Sequence, residues 1–85
     1  MKNLKKENLQ VPVSIWAKPV VDPFTVTDFM EHEHLVVECT DGMLRIVEGT
    51  KILTDKIYCT SHKDTHPIEL DEAGKVTRVF VPQSC

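Results

Sequence analysis

The chain has 85 residues, 41% of them hydrophobic and 27% charged, with a formal charge of −3. That is enough apolar material for one small core, and too little chain for an enzyme cleft between two domains. Its glycines, Gly42, Gly49 and Gly74, stand apart from one another, so no glycine-rich phosphate loop is present.

Residues 1–10 carry Lys2, Lys5 and Lys6 and read as a flexible basic arm, leaving residues 11–85 as one domain. Val11, Val13, Ile15 and Ala17 alternate along residues 11–17, and Pro12 confines any strand there to a sheet edge. Trp16 falls among these residues as a large ring that either covers one end of the core or anchors an interface. Pro19 and Pro23 then mark an extended connector.

Thr25, Asp28, Glu31 and Glu33 resemble a helix start, with a threonine cap and carboxylates at the positive end of the dipole. One short helix is predicted over residues 26–33, with Phe29 and Met30 on its apolar side and Phe29, like Phe80, filling the core. From His34 the period becomes two. Strands are predicted over 34–39, 43–47, 56–60, 67–70 and 76–81, with residues 50–53 continuing the second after a bulge. Asp41-Gly42 is a hairpin signal between alternating apolar runs. The predicted fold is mainly β: a small, strongly bent five-stranded antiparallel barrel of SH3/Sm-like type with one short N-terminal helix.

The residues carrying this order are the helix around Asp28 and Phe29, residues 34–42 (HLVVECTDG), Ile57 to Cys59, Ile68 to Leu70, and residues 76–82. In that pattern the chain resembles the Sm-like small barrels, and especially the Rof family of Rho-termination inhibitors. The likeness covers residues 26–82. It implies a non-enzymatic protein that binds a basic, RNA-binding surface of a protein target. The chain differs in its proline-rich N-terminal segment and in lacking a glycine-rich second strand. A second likeness, to lipoyl-type domains, runs through residues 66–68 and 74–76, without a modifiable lysine between methionines.

Charge distribution points the same way. Outside the first six residues, seven basic side chains face all thirteen acidic ones, and residues 19–44 contain no Lys or Arg. An acidic surface repels duplex DNA and attracts basic proteins. Asp28, Glu31, Glu33 and Glu38 are therefore the expected charge contacts, with Trp16 as the apolar one. The alternatives are an Sm-type RNA binder using Lys51, Lys56, Lys63, Lys75 and Arg78, and a small zinc protein. For zinc, Cys59-x-x-His62 followed by His66, and His32 with His34, supply ligand types without an established spacing. No cofactor is expected, and no catalytic residue: Cys59, His62 and Asp64 contain the types for a nucleophile without triad order, and Glu31 and Glu33 lack an enclosing pocket.

Three cysteines without CxxC spacing do not form a secreted disulfide framework, so Cys39 and Cys59 read as buried hydrophobes and Cys85 as a terminal thiol. No signal-like or membrane-length apolar run occurs, and a cytoplasmic protein is expected. An exposed sheet edge would allow strand-to-strand assembly into a dimer or ring.

Overall fold

A computed structural model describes residues 4–12, 15 and 17–80. Six strands, β1 (Phe24–Thr27), β2 (Glu33–Glu38), β3 (Leu44–Glu48), β4 (Lys51–Cys59), β5 (Asp64–Leu70) and β6 (Val76–Val79), form one antiparallel sheet in chain order. The sheet is open: β1 and β6 are its edges, so the closed five-stranded barrel is not formed. The only helix among the described residues is a single 3-10 turn, Lys6–Asn8.

Residues 26–33 are not helical. Phe24 to Thr27 are β-branched or aromatic and pair with β2, Phe24 opposite Val36 and Thr27 opposite Glu33. Asp28 accepts backbone hydrogen bonds at a turn rather than beginning a helix. The strands predicted from alternation do form, with two differences. Of residues 50–53, Lys51 to Leu53 begin β4 instead of extending β3, and the polar residues before Pro67 belong to β5.

Alternation along β2 gives the sheet two apolar faces. Val37 and Cys39 pack with Val47 and Ile52, and this face is covered by Leu9, Ile15 and Ala17, with Leu4 and Val11 at its border. Val36 packs with Ile46 and Tyr58 on the other face. Between the pairs Arg45–Ile57 and Val47–Ile52, β3 advances two residues while β4 advances five. This odd mismatch turns the two halves of β4 to opposite faces, so Ile52 joins the first cluster and Tyr58 the second.

The segment predicted as a loose arm is, from Leu4 onward, part of the first cluster. Gln10 bridges Lys51, and Pro19 bridges Cys39, which ties the covering segment to the sheet. Ile15 and Ala17 are buried as their alternation suggests, but neither they nor Val11 and Pro12 lie in a strand. Trp16, Cys85 and the end of the last predicted strand lie outside the described residues.

Arg45 is fully buried and donates two hydrogen bonds to Asp41, at 2.9 and 2.8 Å. Burial opposes the charge on both groups. The pairing outweighs it, lowering the Asp41 carboxyl and raising Arg45. Cys39 is a free buried thiol whose ionisation is pushed up by burial. Cys59 is buried as predicted, but it is disulfide-bonded rather than a thiol.

Candidate functional site

Three hairpins share one loop geometry. In the first, Asp28 N donates to His32 O and Glu31 N to Asp28 O; the same pair of bonds links Cys39, Gly42 and Met43, and again Asp71, Gly74 and Lys75. This is a three-residue loop whose last residue is left-handed, a position that favours glycine. Gly42 and Gly74 hold it at φ 83° and 84°. In the first hairpin the residue is Glu31, at φ 63°. A side chain there costs roughly 1 kcal/mol that glycine would not. Such backbone strain concentrates at working sites.

The first hairpin is also firmly held. Asp28 Oδ1 accepts from Met30 N and His32 N, both at 2.8 Å, while Oδ2 bonds His34 Nε2 at 2.8 Å. The His34 bond, then the His32 amide, lower the Asp28 carboxyl below its ordinary value of 3.8. Tyr58 donates its hydroxyl to Thr27 O at 2.9 Å, and Phe29 N donates to Lys63 O at 3.1 Å in the neighbouring β4–β5 turn. Lys63 is the second non-glycine residue with positive φ, at 52°.

On this fixed frame Phe29 and Met30 point into solvent, 71% and 73% exposed. Large apolar side chains side by side at a loop tip, bordered by carboxylates, are unusual on a surface that does nothing. Phe29, assigned to the core from sequence, is thus at the surface, and Phe80 is 46% exposed beside Arg78, whose guanidinium lies 5.6 Å from its ring centre. The aspartate preceding the tip was the available signal: Asp at the first position of a type I turn, after β-branched residues, marks a hairpin rather than a helix cap.

The four predicted charge contacts do not form one patch. Glu31 and Glu33 are exposed at the hairpin tip and its exit, and neither forms an ion pair among the described residues. Asp28 is spent on internal hydrogen bonds. Glu38 is exposed at the far end of β2, roughly 17 Å from Glu33 at strand rise and pointing to the opposite face. Trp16 is outside the described residues. The basic set Lys51, Lys56, Lys63, Lys75 and Arg78 is exposed, spread from β4 to β6 among Asp55, Asp64, Glu69 and Glu72. Of the candidate metal ligands, His32 and His34 both turn to Asp28, whereas Cys59, His62 and His66 converge.

No helix among the described residues is long and apolar enough to cross a membrane. No protein-family model matches the chain, and comparison with curated proteins and with solved structures brings no match either.

Proposed function

We propose that this is a non-catalytic binding module that docks on a protein partner through the β1–β2 tip. Phe29 and Met30 enter an apolar pocket, and Glu31 and Glu33 meet basic groups at its rim. Docking of this kind inhibits or regulates the partner, and a basic surface of a nucleic-acid-binding protein fits the charge. The observation that carries the reading is the exposed Phe29–Met30 pair beside a glutamate in a glycine position. Asp28 acts in it as the residue that holds the tip, not as a contact. Glu38 lies outside the docking surface.

A tip fixed before binding loses little entropy on association, and aromatic anchors ringed by charge are where binding energy concentrates. The working compartment in this reading is the reducing cytoplasm, where a disulfide such as that of Cys59 would be transient.

The test is affinity capture from the source cell with the intact chain, then binding measurements on each captured protein. Phe29→Ala should weaken the true complex about thirtyfold, as loss of an interface anchor does. The pair Glu31→Lys and Glu33→Lys should slow association and remove its salt dependence. Captured partners that bind both variants as tightly as the parent chain would refute docking through this tip.

A further inference from the structure

Cys59 ends β4, His62 is the third residue of the following turn, and His66 lies on β5 opposite Ile57. Cys59 and His66 therefore share one sheet face as diagonal neighbours. Cys59 Sγ is 3.0 Å from His62 Nδ1, and the two imidazoles meet edge to face at 5.6 Å. One donor atom from each of the three residues lies within 4.8 Å of the others. A tetrahedral zinc ion with one sulfur and two nitrogen ligands needs separations of about 3.3–3.6 Å, so the Cys59–His62 pair opens by roughly 0.5 Å and the widest separation closes by roughly 1 Å at most. His66 Nε2 is buried and has no hydrogen-bond partner among the described residues, an uncommon state for a ring nitrogen and one that a ligand would relieve.

Cys59 is disulfide-bonded in this structure. Its sulfur then carries no proton, so the hydrogen in the contact with His62 belongs to the imidazole. We propose that reduction of this disulfide turns Cys59, His62 and His66 into a Zn²⁺ site. Two molecules of a thiol reductant supply two electrons and two protons. The S–S bond breaks, two protein thiols form, and the reductant leaves as its own disulfide. Zn²⁺ then displaces the Cys59 thiol proton to solvent, while His62 and His66 bind as neutral imidazoles, one nitrogen each. The thiolate with two imidazoles is a donor set that suits zinc, with the fourth position left to water. The disulfide excludes the metal because it removes the anionic ligand.

The test uses the full-length protein, oxidised or reduced with a phosphine, titrated with Co²⁺ and then Zn²⁺. Reduced protein should take up one equivalent of Co²⁺ and show a thiolate-to-cobalt charge-transfer band that Zn²⁺ abolishes. Oxidised protein should bind at least tenfold more weakly and show no such band. His62→Gln and His66→Gln should each weaken uptake by tenfold or more, since even residues that only support a ligand are worth that much. Circular dichroism establishes that each variant is folded, and His62, in a surface turn, remains informative if His66→Gln does not fold. Absence of the band in reduced protein would overturn the proposal. So would a band unchanged in folded His62→Gln, or equal binding by both redox forms.

Discussion

Glu31 occupies a position where Gly42 and Gly74 serve in the two matching loops, so its replacement separates stability from function. Glu31→Gly should raise the unfolding free energy by about 1 kcal/mol in a denaturant titration. In the proposed complex the same change should weaken binding, because it removes a rim carboxylate. A parallel gain in both properties would argue that the glutamate has no role at the tip. Asp28 gives a pH signature at the same hairpin. Its folded-state carboxyl lies below the ordinary 3.8, so its stabilising contribution is complete above that value and is lost as pH falls through the lower one. Asp28→Ala should lower stability at neutral pH and flatten the acid limb of a stability–pH curve. Arg45 is the third decisive residue. Asp41→Ala leaves a buried guanidinium without its carboxylate and should cost about 3–5 kcal/mol. Arg45→Met, which removes the charge as well, should cost less, and thermal melts of the two variants would show the order.

At the level of elements, the segment before β1 belongs to the core. Leu9 is buried against Ala17, Val37 and Ile52, so Leu9→Ala should destabilise by about 2–4 kcal/mol, far more than a change on a loose arm would. Strands β2, β3 and the hairpin at Asp41-Gly42 were legible in the sequence because one residue in two is apolar and the turn residue is glycine. The hairpin at Asp28 was not, because two features of a helix start, a threonine and a run of carboxylates, coincide with an aspartate-bonded turn. Local patterns at residues 25–28 fit both structures, and only pairing with β2 decides between them. The mismatch in β4 was likewise hidden: residues 50–53 and 56–60 read as separate strands, since no periodicity survives an odd insertion that exchanges faces. The site suffered from the same ambiguity. Glu31 and Glu33 stayed exposed in either reading, whereas Phe29 exchanged a core position for the surface.

Taken as a whole, the molecule is a thin plate, 36 × 32 × 16 Å, with apolar side chains on both faces of a single sheet. A plate does not gather the charges of one sequence stretch onto one surface. That is why the acidic run from residue 19 to residue 44 divides, with Glu31 and Glu33 at the tip, Asp28 bonded within its hairpin, Asp22 against the Lys6 amide, Asp41 paired with Arg45, and Glu38 apart. Both edge strands are four residues long, which limits recruitment of further copies through strand pairing. The bond from Phe29 N to Lys63 O crosses from the first hairpin to the turn that contains His62. Zinc added to the reduced chain should therefore slow deuterium uptake at the Phe29 amide while leaving that at Ala73, in the matching loop across the sheet, unchanged. If zinc raises affinity at the proposed docking tip, linkage requires that a partner gripping the tip tighten the hold on the ion by the same factor. A cell's thiol balance would in that case set how stiffly this small plate offers its most exposed apolar tip.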